Sequence, residues 1–238
     1  MSIYCIFDLD GTLTISSRQI SPEMLYTLQQ LKNKNIKNVI VSGGTYQKIL
    51  WQINNRYDLF DMIFAESGAV LYQDNKEIYC KQIARMIDPN LLYQLKTKFI
   101  QICTEHNFKY MGERFDVRNG LIYATMSGMQ ADDQTRKLVI DYDLQYNIRA
   151  DIITELTKID IEASLEIVKG GKTGLSIYPK GLDKTQILPY ITNYKVIHFF
   201  GDSCKPDGND YCLYSHPKCI GHEVADYQHT IQLLTNLF

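Results

Sequence analysis

The chain has 238 residues, 45% hydrophobic and 22% charged, with 25 basic against 27 acidic side chains. At about 150 residues per domain this is one large domain or two modest ones, with enough apolar content for a core and too much for disorder. The formal net charge of −2 excludes the basic excess of a dedicated nucleic-acid binder, and no apolar run approaches the ~18 residues of a membrane-spanning helix.

Ile3–Phe7 is a continuous apolar run that ends at Asp8, the pattern of a buried parallel strand. The stretch before Asp8 is too short and lacks the basic residues for a signal peptide. Ser21-Pro22 opens a helix, with serine as cap, proline in the first turn, and Met24, Leu25, Leu28 and Leu31 on one face. Val39–Val41 is a second strand, closed by Ser42-Gly43-Gly44 and followed by a helix to about Asn54. Met62–Phe64 is a third strand, and Ala69–Tyr72 reads as part of a hairpin. Pro89–His106 reads as a helix. Arg114–Val117 and Leu121–Met126 flank a tight turn at Arg118-Asn119-Gly120. Helices over 132–144 and 149–159, then strands at Ala163–Val168 and Leu175–Tyr178, complete the middle. Asp183–Tyr190 has helical character, Val196–Phe200 is another buried strand ending at Gly201-Asp202, and Tyr227–Phe238 is a terminal helix. This order predicts a doubly wound, Rossmann-like α/β core sheet over 1–82 and 181–238, with an α+β domain inserted over 83–180.

Cys5, Cys80, Cys103, Cys204, Cys212 and Cys219 form no C-x-x-C pair. Neither a zinc site nor a thioredoxin-like motif is expected. Free thiols of a cytoplasmic protein are.

The strongest chemical signal is Phe7-Asp8-Leu9-Asp10-Gly11-Thr12-Leu13-Thr14. Open α/β sheets bind ligands beyond the carboxyl ends of their strands, where Asp8 and Asp10 fall. Asp8 can attack phosphorus as a carboxylate nucleophile, and Asp10 can protonate the leaving oxygen and deprotonate the attacking one. Repulsion between a carboxylate and a phosphate dianion is roughly 8 kcal/mol at about 4 Å and an effective dielectric of about 20, so the site needs cations. Oxygen ligands without a Cys/His cluster favour Mg²⁺. Asp202 offers a further ligand at a strand end, and Asp210 is a second candidate. Ser42-Gly43-Gly44 has the form of a phosphate cradle, although it is also the sequence of a generic turn. Lys184 can neutralise the transferring phosphoryl group, or be an ordinary surface lysine.

DLDGTLT, a strand-end serine, a lysine and GDxxxPxGND, in that order, resemble the haloacid dehalogenase-type phosphotransferase superfamily. More narrowly the chain resembles the eukaryotic phosphomannomutase family, through FDLDGTLT (7–14), VSGGTYQKI (41–49), FAESGAVLYQDNKEIYCKQI (64–83), VRNGL (117–121), PKGLDK (179–184) and FFGDSCKPDGND (199–210). The resemblance implies a catalytic core with an inserted substrate-binding cap, Asp8 as phosphorylated nucleophile, and Asp10 as general acid/base. It further implies Mg²⁺ on Asp8, the Asp10 backbone and Asp202, with Arg118 and Arg136 holding the substrate's non-reacting phosphate. A cap-to-cap homodimer, a hexose 1,6-bisphosphate activator and a place in nucleotide-sugar supply for glycosylation follow from it too.

Three departures fall on the recognition surface. Met129 stands where the family carries a phosphate-binding arginine, and Gly174 and Ser176 where it places a serine and an aspartate on the sugar. His216 and Cys219 occupy an auxiliary cation loop. A lost charge-assisted contact is worth roughly 1.5–3 kcal/mol. The expected activity is interconversion of hexose (mannose) 6- and 1-phosphates through an aspartyl phosphate. The alternatives are a Mg²⁺-dependent sugar-phosphate phosphatase with the same core residues, and a non-catalytic sugar-phosphate-binding protein.

Overall fold

β1 (Ser2–Phe7) is buried on both faces from Tyr4 onward, which suits only an interior strand of a parallel sheet. The computed structural model, which describes residues 1–238, places it there. β10 (Tyr194–Gly201) lies on one side of β1 and β2 (Lys37–Val41) on the other, both parallel to it. The sheet has seven strands in the order β11-β10-β1-β2-β3-β4-β5. β11 (Ile220–Glu223) and β3 (Met62–Ala65) extend the parallel part. β4 (Val70–Gln73) and β5 (Lys76–Cys80) form an antiparallel hairpin at one edge. The chain therefore leaves β1 toward β2 and returns on its other side as β10, a topological switch point of the kind that opens a ligand crevice at the strand ends.

Helix α1 (Pro22–Asn33) begins where the sequence indicates. Ser21 Oγ accepts from the Met24 N–H, Pro22 sits in the first turn, and Met24, Leu28 and Leu31 are buried while Leu25 is half-buried at the margin. α2 (Tyr46–Gln52) ends at Gln52, two residues short of the expected boundary, where Asn54 and Asn55 turn left-handed. α7 (Tyr227–Leu237) closes the chain and packs against α1. Ile6, Val39, Val41, Phe64, Ile197 and Phe199 form the core of one sheet face, with Ile187, Leu188 and Leu213 against it. The 184–190 segment is a 3₁₀ helix, consistent with Pro189 inside it, which has no N–H to donate.

The chain divides into two units, Met1–Lys81 with Asp183–Phe238, and Gln82–Leu182. The second holds a four-stranded antiparallel sheet ordered β6-β7-β9-β8. Its strands are β6 (Phe115–Val117), β7 (Ile122–Thr125), β8 (Leu165–Gly170) and β9 (Gly174–Pro179). Its helices are α3 (Pro89–Glu105), α4 (Asp133–Tyr146) and α5 (Ile148–Thr157). Alternation along β7 and β9 sends Ile122, Ala124, Leu175 and Ile177 into a core with Leu95, Phe99, Ile152 and Leu156 of the helices. Tyr123, Thr125, Gly174 and Ser176 fall on the opposite face. β8 starts at Leu165 rather than Ala163, because Ala163 is left-handed and Asp160 draws in the Ser164 and Leu165 N–H groups. The fold is thus a mixed α/β chain with a largely parallel central sheet and a separate antiparallel one. All six cysteines are free, and no helix is long and apolar enough to cross a membrane.

Candidate active site

Three adjacent strands deliver three of the indicated residues. Asp8 follows β1, Ser42 follows β2, and Asp202 follows Gly201 at the end of β10. Asp8 is fixed by its own N–H, which donates to Phe200 O at 2.9 Å. The side chain of Lys184 is only 1% exposed, so it is no surface lysine. Its Nζ donates to Asp8 Oδ1 at 2.6 Å and to Asp210 Oδ1 at 2.7 Å. Asp210 is fully buried and its other oxygen accepts from the Ser203 N–H at 3.1 Å. Carboxylate oxygens of Asp8, Asp202 and Asp210 all lie within 4.8 Å of one another.

One ammonium faces three carboxylates. Burial is the largest influence on Asp8. Lys184 opposes it, the Asp210 and Asp202 charges add to it, and the carboxyl is pushed up to about 8. Burial works against a charged Lys184, but Asp210 and Asp8 outweigh it and hold the ammonium well above the usual lysine range. An oxygen-ligated divalent cation suits this surplus of negative charge. The backbone also leaves room beside the cluster. Gly11 has φ +89°, and a Cβ there would lie 2.2 Å from Asp202 Oδ2.

Asp10 is held by a different set of partners. Oδ1 accepts from the Ser17 N–H at 2.7 Å and from Gln52 Nε2 at 2.9 Å, and Oδ2 pairs with Lys48 Nζ at 2.8 Å. Burial pushes its carboxyl up, yet the Lys48 ammonium and these hydrogen bonds win and hold it below the ordinary range. Lys48 and Gln52 lie one turn apart on α2. Neither was indicated by the sequence as a site residue: their i, i+4 spacing puts them on one face of the helix but does not show that this face meets Asp10. Ser42 is buried, and its Oγ accepts from the Gly44 N–H at 3.1 Å. Its carbonyl accepts from Ser67 N and that of Gly44 from Glu66 N, so Ser42-Gly43-Gly44 is strapped to the turn after β3.

Arg118, Arg136, Met129, Gly174 and Ser176 lie in the second unit. Arg118, at the turn between β6 and β7, pairs with Asp116 at 2.7 Å and lines a cavity of about 480 Å³ together with Arg85 and Asn119. Arg136 is half-buried in the first turn of α4, whose cap Asp132 accepts from the Thr135 N–H. Gly174 and Ser176 are buried on β9, opposite Thr125 and Tyr123 of β7. Met129 is half-buried and donates its N–H to Glu113 O at 2.8 Å. In the first unit, His216 Nδ1 accepts from the Lys218 N–H at 3.2 Å and the Cys219 N–H donates to the His216 carbonyl, closing a local turn.

A family model described as eukaryotic phosphomannomutase matches residues 24–238. The chain belongs to the eukaryotic phosphomannomutase family. A phosphomannomutase of Babesia bovis is 32% identical, over 98% of this chain and 96% of its own. One from Saccharomyces cerevisiae is 32% identical, over 98% of this chain and 93% of its own. These relatives extend the match through Asp8 and Asp10, which precede the stretch the family model covers. Among solved structures, a haloacid dehalogenase-like hydrolase from Bacteroides thetaiotaomicron superposes with a TM-score of 0.61 at 15% identity, covering all of both chains. At that identity the likeness shows the fold.

Proposed function

We propose that this chain is a phosphomannomutase that interconverts hexose 6-phosphate and hexose 1-phosphate, mannose being the sugar its family points to. The observation that carries the reading is the buried Asp8–Lys184–Asp210 array with Asp202 beside it, at the ends of β1 and β10, in a chain of this family.

Asp8 attacks phosphorus. A P–O bond forms to its carboxylate while the bond to the departing oxygen breaks, leaving an aspartyl phosphate. Lys184 holds the Asp8 carboxylate and neutralises charge gathering there, and Asp210 keeps Lys184 in place. Once Asp8 is phosphorylated, the ionised Asp10 takes the proton of the attacking sugar hydroxyl, and it gives that proton to the departing oxygen when the other phosphate returns to Asp8. Lys48 and Gln52 fix where that carboxylate waits. Ser42, with Gly43 and Gly44, contacts the transferring phosphate. Arg118 and Arg136 hold the phosphate that is not being transferred, and Gly174 and Ser176 lie by the sugar.

Mg²⁺ is the cofactor of this reading: Asp8, Asp202 and the Asp10 backbone would hold it, with Asp210 completing the acidic cluster. When bound it offsets the charge of the carboxylates and phosphate oxygens. A hexose 1,6-bisphosphate serves as activator by loading Asp8. A cytoplasmic location suits six free thiols. Homodimerisation through the second unit suits its exposed Tyr93, Tyr110 and Met111.

The test is phosphorus NMR with Mg²⁺, mannose 1-phosphate and catalytic glucose 1,6-bisphosphate. The proposal expects mannose 6-phosphate with little inorganic phosphate. Inorganic phosphate as the main product, or no product across a panel of hexose phosphates, would refute it.

A further inference from the structure

The hairpin that carries Arg118 also carries the groups that immobilise it. Asp116 on β6 stands directly across from Tyr123 on β7, so the two side chains share a face of the sheet. Arg118 follows two residues after Asp116, and its N–H donates to Leu121 O at 2.9 Å across the turn. Its Nε donates to Asp116 Oδ2 at 2.7 Å, and its guanidinium carbon lies 5.0 Å from the centroid of the Tyr123 ring. The Arg118 side chain is 13% exposed.

The ring is held in its turn. Tyr123 packs on Leu121, Val168 and Tyr178, and its hydroxyl donates to Gly170 O at 3.3 Å. β9 and the turn before it make room for the ring. A Cβ on Gly174 would lie 2.7 Å from the Tyr123 hydroxyl, and one on Gly171 would lie 3.1 Å from it. Glycine at 174 and tyrosine at 123 are therefore compatible, and a larger residue at 174 would collide with both the phenol and the Ala124 carbonyl.

We propose that Tyr123 is a positioning residue for Arg118, its ring and Asp116 together presetting the guanidinium for a phosphate monoester. This rests on the reading that Arg118 binds the non-transferring phosphate. With Met129 offering no charge, the order of Arg118 carries more of that contact. A guanidinium fixed between a carboxylate and a ring loses less freedom on meeting phosphate than one free in solvent. The ring stabilises the cation through its π face, so phenylalanine suffices and an aliphatic side chain does not.

The test compares Arg118→Ala, Tyr123→Phe and Tyr123→Leu in the mutase assay with mannose 1-phosphate. Arg118→Ala should raise KM. Tyr123→Leu should raise KM by about 5- to 20-fold with kcat nearly unchanged, and Tyr123→Phe should stay near wild type. NMR of the Arg118 Nε–H should show a sharp, slowly exchanging signal in wild type and Tyr123→Phe, and a broadened one in Tyr123→Leu. If Tyr123→Leu does not fold, Tyr123→Met replaces it. An unchanged KM in Tyr123→Leu beside a raised KM in Arg118→Ala overturns the positioning role and leaves the reading of Arg118 standing. Equal losses in the phenylalanine and leucine variants overturn it as well, by pointing to the hydroxyl. An unchanged KM in Arg118→Ala overturns both.

Discussion

Lys184 is the side chain on which the candidate site turns, because two carboxylates depend on it and all three side chains are buried. Removing one partner of a buried ionic cluster costs about 3–5 kcal/mol, since the charges left behind have no solvent to replace it. Lys184→Met should therefore abolish turnover and also lower stability by that order, read from urea unfolding. Adding Asp210→Asn to the same chain should recover part of the stability and none of the activity. A Lys184→Met protein as stable as wild type would contradict the buried-cluster description. Asp8, Asp10 and Asp202 were legible in the sequence, since each follows a strongly apolar strand and a strand end is where such a sheet puts chemistry. Lys48 and Gln52 were not, because their bonds to Asp10 join residues 38 and 42 positions apart, a pairing only the folded chain creates. The packing of Tyr123 into the space beside Gly174 was illegible for the same reason.

At the level of elements, α4 and α5 form a bent pair separated by Asn147 in the left-handed region, at φ 51° and ψ 37°. A residue with a Cβ and no compensating polar group loses about 1–2 kcal/mol there, and glycine does not. Asn147→Ala should thus lower the melting temperature more than Asn147→Gly. Both lose the Lys169 contact to Asn147 Oδ1, so the difference isolates the backbone. Equal melting temperatures would place the cost in the side-chain bond instead. The elements best read from sequence were those with a decisive pattern. β1, β2, β3 and β10 each contain a mainly apolar stretch buried on both faces, and α1 and α3 carry Ser-Pro and Asp-Pro starts. β5 and β11 escaped notice because edge strands need no apolar run, and Lys76–Cys80 is almost wholly exposed. The four-residue α6 (Tyr211–Tyr214) is too short to show a period.

On the scale of the whole molecule, the sheet joins the two ends of the chain, and a histidine pair reports on that closure. His198 Nδ1 lies 2.9 Å from His222 Nε2 across β10 and β11, with Phe200 stacked on His222 and the terminal Phe238 ring edge-on to His198. Burial lowers the pKa of both, and His198 lowers that of His222 further. The unfolded chain then binds protons more readily than the native one. The pair's contribution is intact above the ordinary imidazole value of about 6.5 and declines as pH falls below it. Thermal melts from pH 7.5 down to about 5 should show a fall that His222→Gln makes shallower, and an unchanged slope in that variant would remove the pair from the account.

The family, the strand-end carboxylates and the buried lysine all lead to one central claim, that Asp8 carries the phosphoryl group between sugar positions. The most direct measurement is a single-turnover experiment in which enzyme loaded from radiolabelled hexose 1,6-bisphosphate is mapped by proteolysis and then chased with mannose 1-phosphate. The expected result is label on the peptide containing Asp8, its transfer to sugar during the chase, and no label in a folded Asp8→Asn protein. Label on another residue, or its release to water during the chase in place of transfer to sugar, would contradict it.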